Sequence, residues 1–280
     1  MHSASGKHPV EYLFDRLQHI SHPNGLVPVP ETISGTAFFP GGYGLWREEG
    51  RPLPPMPSGK VMVLGQDFGK KTDYRTALRV GHELDTPTWR GLRRLLKGAS
   101  IPPQDCFFTN AYMGLRTNGS SMGPTPGARD ESFRERCRSF LMEQIALQEP
   151  RIILVLGLEP ADLIASVSSD LGAWRKKHSR WGWNDLYSAG LLKNADIGQG
   201  LAQRVTVVAL LHPGGYNLGN NLARRRYRGH TGMDAELVLL REANSLSEKR
   251  PAADVGPEGR PAIAGSRRPC SGATGSDPVS

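Results

Sequence analysis

The sequence predicts an α/β fold, a three-layer α/β/α sandwich with a four-stranded, mainly parallel central sheet. Four short apolar runs, at residues 61–64, 106–111, 151–156 and 205–211, lack the in–out alternation of a half-buried strand. Strands of a parallel sheet, covered on both faces, read this way. Helical patterns separate the runs, as crossover connections between parallel strands require. Three of the runs also stop at unusual polar groups: Gln66-Asp67, Asn110 and His212.

Residues 9–20 place Val10, Leu13, Phe14, Leu17 and Ile20 at helical spacing, so one amphipathic helix is expected there. The Pro- and Gly-dense stretch 21–59, with Phe38, Phe39, Tyr43 and Trp46 in its middle, reads as a loop across a core edge. Helix and loop form a lead-in over 1–59, ahead of an α/β domain over 60–245. The first strand closes at Gly65, and the charged residues 70–85 read as a loop. Thr86-Pro87 opens a helix with Trp89, Leu92, Leu95 and Leu96 on one face and Arg90, Arg93, Arg94 and Lys97 on the other. The second strand, 106–111, leads into a loop at 112–129 rich in Gly, Pro, Ser and Thr. A helix over 130–149 precedes the third strand, which closes at Gly157, and Pro160 falls in the first turn of the next helix. Residues 168–203 are mixed, with Trp174, Trp181 and Trp183 among basic residues. The fourth strand ends in His212-Pro213-Gly214-Gly215. An arginine-rich stretch (Arg224, Arg225, Arg226, Arg228) precedes a last helix at about 233–244. The tail, 246–280, has the composition of a disordered segment.

The 280 residues, 38% of them hydrophobic, suit one globular domain with irregular ends. No apolar run approaches the ~20 residues of a membrane span, and residues 1–9 lack a signal-peptide core. Three scattered cysteines make neither a disulfide framework nor a C-x-x-C site. A reduced, cytoplasmic monomer is expected. The net charge of +8 suits a polyanionic partner, and the tail's five basic and four acidic residues leave nearly all of that surplus upstream.

In a parallel sheet the polar strand ends share one edge, where open α/β folds bind ligands. A carboxylate, an amide and an imidazole would then meet in one crevice. Simpler readings stand beside this one. Asp67 can cap the following helix, Asn110 can be satisfied by local backbone, His212 can sit in a capped turn, and the arginines can be a solvated face.

The same residues carry a resemblance. Gly65-Gln66-Asp67-Phe68-Gly69 resembles the water-activating first motif of the uracil-DNA glycosylase superfamily. Leu211-His212-Pro213-Gly214-Gly215 resembles its second motif, where a DNA-probing loop follows, here Tyr216-Asn217-Leu218-Gly219. Phe108-Thr109-Asn110-Ala111 is similar to the strand whose Asn reads the uracil edge, and Ile153–Gly157 matches the third strand. The matches span about 60–230 in the family's order.

The resemblance implies a monofunctional, metal-independent DNA glycosylase of base excision repair, hydrolysing the N-glycosidic bond of uracil or a related deaminated or 5-substituted base without a cofactor. Asp67 would position and polarise water and His212 would donate to uracil O2. Asn110 would pair with O4 and N3–H, and Gln66 would contact the base. Gly214, Gly215, Tyr216 and Leu218, with Arg224, Arg225, Arg226 and Arg228, would contact DNA. Phe68, Trp89 and Tyr74 all compete for the role of stacking aromatic.

Departures from the family matter too. The most uracil-specific branch has Pro-Tyr where this chain has Phe68-Gly69. A glycine at the last position resembles the mismatch-specific, single-strand-selective and iron–sulfur branches, yet three cysteines cannot supply four cluster ligands. The alternatives are a non-catalytic nucleic-acid-binding protein of the same fold and an unrelated α/β hydrolase. The latter is disfavoured by the lack of a Gly-x-Ser-x-Gly elbow and of a metal-ligand cluster.

Overall fold

Five consecutive buried residues, Val61–Gly65, form the strand at the centre of the architecture. The computed structural model describes residues 8–29, 56–80, 85–117, 120, 123–178, 181–197, 204–214 and 218–248. In chain order, helix α1 (Pro9–Gln18) and strand β1 (Leu26–Val27) precede β2 (Val61–Gly65), α2 (Lys71–Val80) and α3 (Pro87–Gly98). Strands β3 (Cys106–Asn110) and β4 (Leu115–Arg116), helix α4 (Glu131–Gln148), strand β5 (Ile152–Leu156) and helix α5 (Leu158–Ile164) follow. The remainder comprises α6 (Trp183–Ala189), β6 (Leu192–Ala195), β7 (Val205–Leu210), α7 (Leu218–Arg224), β8 (Arg226–Tyr227), β9 (His230–Thr231) and α8 (Gly232–Glu248).

The main sheet has the order β3-β2-β5-β7-β6, with its first four strands parallel. All four are wholly buried, which accounts for their unalternated sequences. The fold class is thus the predicted sandwich, with a fifth strand added. That strand, β6, runs antiparallel to β7 at the sheet edge and buries only Ala195. An edge strand packed on so little gives no apolar run to find, and residues 168–203 hid it.

Side-chain contacts define the outer layers. On one face Thr109 of β3 donates to Gln144 of α4 (2.5 Å), and α4 also packs against α1 and α5. On the other face Trp89 of α3 meets Phe108 edge-on at 5.2 Å, and α3 packs against α8. Capping explains where two of these helices start. Thr86 accepts from the Trp89 amide with proline at the first helical position, and Asp130 accepts from the Phe133 amide.

Two local expectations change. The stretch read as a charged loop at 70–85 contains α2, whose buried Tyr74 and Ala77 lie one helical turn apart amid exposed polar residues. The loop at 112–129 contains β4, which pairs with β1 and ties the lead-in to the domain. Leu13 and Leu17 of α1 are fully buried in the common core. The aromatic cluster at 38–46 and the tail beyond residue 248 lie outside the described residues. Among the described residues no helix is long and apolar enough to cross a membrane.

Candidate active site

The parallel register lines up the carboxyl ends of four strands. Gly65 stands opposite Asn110 and Leu156 opposite Leu210, so the segments after β2, β3, β5 and β7 leave the sheet along one edge. Beyond the strands the backbone stays fastened: the Ala111, Tyr112 and Arg116 amides donate to the carbonyls of Gly65, Gln66 and Gly69. The Gln66–Gly69 loop is therefore laid against the chain that follows β3.

Asp67 sits in this loop with its carboxylate almost out of solvent. Its Oδ1 accepts from the Gly69 amide at 2.9 Å, closing an Asx turn. Gly69 has φ of +71°, the left-handed region that favours glycine, and among the described residues beyond its chain neighbours no atom lies within 4 Å of where a Cβ would stand. Oδ2 receives two hydrogen bonds, from Arg116 Nε at 2.9 Å and the Thr125 hydroxyl at 2.6 Å, and Arg116 Nη2 stands 2.7 Å from it as an ion-pair contact. Arg116 is also buried, and it donates onward to the Ser120 and Gly123 carbonyls. Gln66 turns the same way, its Nε2 donating to Gly123 O and Thr125 Oγ1. Sequence reasoning missed Arg116 and Thr125, which lie 49 and 58 residues after Asp67 in a stretch that reads as turn material.

Asn110 ends β3 with no solvent exposure, and neither Oδ1 nor Nδ2 has a hydrogen-bond partner among the described residues. A buried primary amide left unpaired costs about 1–3 kcal/mol per group, so such a residue calls for an explanation. Strand alternation puts its side chain on the Phe108 face, the side of α3. Across the ladder stands Gly65, which has no side chain to occupy the neighbouring space.

His212 lies two residues past β7. Its Nδ1 is 3.0 Å from Gly214 O and 3.3 Å from the Gly214 amide, which donates to it. The shorter carbonyl contact goes with the tautomer that carries the proton on Nδ1, and the amide contact with the one that carries it on Nε2. Burial holds the imidazole below its ordinary pKa, so the ring is neutral near pH 7. Two close approaches fix this loop. A Cβ on Gly214 would overlap Thr88, and one on Gly91 would overlap the Pro213 carbonyl, so the loop rests directly on the first turns of α3. The strand end is fastened as well. Glu236 of α8 accepts from the Leu211 amide and from Arg225, while Arg225 donates to Ala209 O and stacks over Trp183 and Tyr187.

Arg225 is thus a core cation, fully buried and paired with Glu236, and the expectation that it contacts phosphate is corrected. Arg224, Arg226 and Arg228 are exposed, and Arg228 pairs with Glu242 at 2.6 Å. Sequence cannot tell these arginines apart, because the buried one answers a glutamate on a later helix. Trp89 is likewise corrected as a stacking candidate. It is 3% exposed, packed between α3 and β3 against Phe108. Phe68 is buried in the first loop beside Asp67. Gly215 and Tyr216 lie outside the described residues, and Leu218 opens α7 rather than extending a loop.

A second carboxylate also went unnoticed. Glu159, in the first turn of α5, lies two residues past Gly157, whose added Cβ would stand 3.6 Å from that of His212. Burial pushes its carboxyl above the ordinary range, and the charge of Asp67 adds to the effect. Among the described residues no group of three or more His, Cys, Asp or Glu side chains is placed to hold a metal ion.

An α/β sheet whose carboxyl edge gathers a fastened carboxylate, a buried amide and a buried imidazole defines the class as a three-layer α/β protein with its candidate site at that edge. The family model of the uracil DNA glycosylase superfamily matches residues 54–231, and the chain belongs to that superfamily. No curated protein matches the chain.

Proposed function

We propose that the protein is a monofunctional DNA base glycosylase that hydrolyses the N-glycosidic bond of uracil or a related deaminated or 5-substituted base. The observation that carries this reading is Asn110, a fully buried amide beside the Asp67 loop with neither hydrogen-bonding atom engaged among the described residues. One amide offers one acceptor and two donors, which matches the N3–H and O4 edge of uracil.

In this reading the base leaves the stack and enters the crevice, and Asn110 pairs with its edge. The C1′–N1 bond breaks with its electron pair moving onto the base. His212, neutral, donates from Nε2 to O2 as negative charge gathers there, a form of electrostatic stabilisation present most strongly in the transition state. A water held by Asp67 adds to C1′, and its proton leaves through the carboxylate to solvent. Phe68 is the described aromatic best placed to flank the base. Arg224, Arg226 and Arg228, all exposed just past the second motif loop, suit phosphate contact. Gly214 supports the probing loop, and we extend the proposal to Gly215, Tyr216 and Leu218. The protein acts as a cytoplasmic monomer on DNA, needing no cofactor, with residues 60–245 as the working domain.

One observation favours a second reading, a nucleic-acid-binding protein of this fold without catalysis. The Asp67 carboxylate is engaged by a buried arginine, which offsets its charge. A uracil-containing oligonucleotide treated with the protein and then with alkali separates the two. Strand scission at the uracil supports hydrolysis. Tight binding with no scission supports the second reading.

A further inference from the structure

Resting on that reading, we infer that Arg116 is a positioning residue for hydrolysis and that Oδ1 of Asp67 is the oxygen that holds the water. Arg116 donates from Nε to Oδ2 with Nη2 in ion-pair contact, and the Thr125 hydroxyl adds a second hydrogen bond there. A carboxylate oxygen has about two lone-pair sites, so Oδ2 is saturated. Oδ1 accepts only the Gly69 amide among the described residues and keeps a site for water.

The pairing does more than fill an oxygen. Arg116 reaches Ser120 O through Nη1 and Gly123 O through Nη2, while its own amide holds Gly69 O. One side chain therefore clamps the first motif loop to Ser120 and Gly123. The planar guanidinium suits this task because its donors are fixed relative to one another. Because the pair is close to neutral as a unit, Asp67 contributes chiefly by orienting water and less by offsetting charge on the sugar. Thr125 shares the role, binding both Asp67 and Gln66.

A double-mutant cycle in single-turnover excision from a uracil oligonucleotide tests this, using Arg116→Gln, Asp67→Asn and the two together. Loss of orientation costs about 10–100-fold in the chemical step, so Arg116→Gln is expected to slow it by that much with DNA affinity within about twofold of wild type. The double variant is expected to be no slower than Asp67→Asn alone, since Arg116 acts through that carboxylate. A merely structural role would not produce that equality. Arg116→Lys, which keeps the charge and loses the fork, recovers part of the rate. Melting curves give a readout that needs no activity: each single variant melts below wild type, and the double variant melts above Arg116→Gln, which strands a buried carboxylate. If Arg116→Gln does not fold, Thr125→Val removes one donor only and gives a smaller loss that vanishes in the Asp67→Asn background.

Excision by Arg116→Gln at or above the wild-type rate, or rate losses that multiply in the double variant, overturns the positioning role and leaves the glycosylase reading standing. No uracil release by wild type overturns the glycosylase reading, and the positioning role with it.

Discussion

Replacing Asn110 with leucine separates what this residue does for stability from what it does for recognition. The side chain is fully buried, and neither amide atom has a partner among the described residues. Leucine has the same γ-branched outline, with bulkier methyl groups, and asks for no hydrogen bonds. Counting one of the two unpaired groups, since water can enter a crevice, its removal returns about 1–3 kcal/mol. For a domain of this size about 2–4 °C accompanies each kcal/mol, so the variant should melt about 2–12 °C higher than wild type. Base recognition should suffer in the opposite sense, with single-turnover excision of uracil reduced about 10²-fold or more. Differential scanning calorimetry and a gel-based excision assay on the same preparation read the two effects. A variant that melts lower than wild type would refute the reasoning, because Asn110 would then be satisfied in the folded protein and free of any need for a base.

Electrostatics, titration and specificity supply three more predictions. Alanine at Arg224 and Arg226 should flatten the salt dependence of DNA affinity by about 0.9 per lost phosphate contact in an anisotropy titration. Arg225→Ala should instead destabilise the fold by about 3–5 kcal/mol, because it strands the buried Glu236, and a melting curve shows which behaviour each position has. His212 should be less than half protonated at pH 6.5, where an ordinary imidazole is half protonated, and ring-carbon NMR shifts report this directly. Burial also lowers His22, so both rings contribute stability that is complete above the unfolded value of about 6.5. That stability is lost as pH falls through their lower folded values, and melting temperature against pH should decline on that side. The open space beside Gly69 should admit 5-hydroxymethyluracil or 5-fluorouracil, with thymine removed weakly if at all, since a single methyl is worth about 1–3 kcal/mol. Gly69→Tyr should narrow the range toward uracil, at about 1–2 kcal/mol of backbone strain from its positive φ. Rejection of every 5-substituted base by wild type would assign the guarding of C5 to another group.

The parallel core was legible because burial on both faces leaves an unbroken apolar run, and each of β2, β3, β5 and β7 has one. The polar strand ends were legible for the same reason, since a Gln-Asp, an Asn or a His closing such a run has no packing explanation. Partners supplied from a distance were hidden. Arg116 and Thr125 sit in a segment of glycine, proline and serine, and only the fold brings them to Asp67. Arg225 reads as one charge in a basic run until Glu236 is found beneath it. Trp89 misled in the opposite direction, because an aromatic at the start of a helix looks the same whether it packs on β3 or lines a crevice. Helix α2 was obscured by its charges, and β6 by its position at the sheet edge, where little burial is needed.

The central claim is hydrolysis at uracil with water held by Asp67. The direct measurement is single-turnover release of uracil from a labelled oligonucleotide by wild type and by Asp67→Asn, with DNA affinity measured in parallel. Loss of a group that activates or orients water costs about 10²-fold or more, so wild type should excise uracil and the variant should be slower by at least that factor while binding changes far less. Equal rates for the two proteins, or no release by either, would contradict the account.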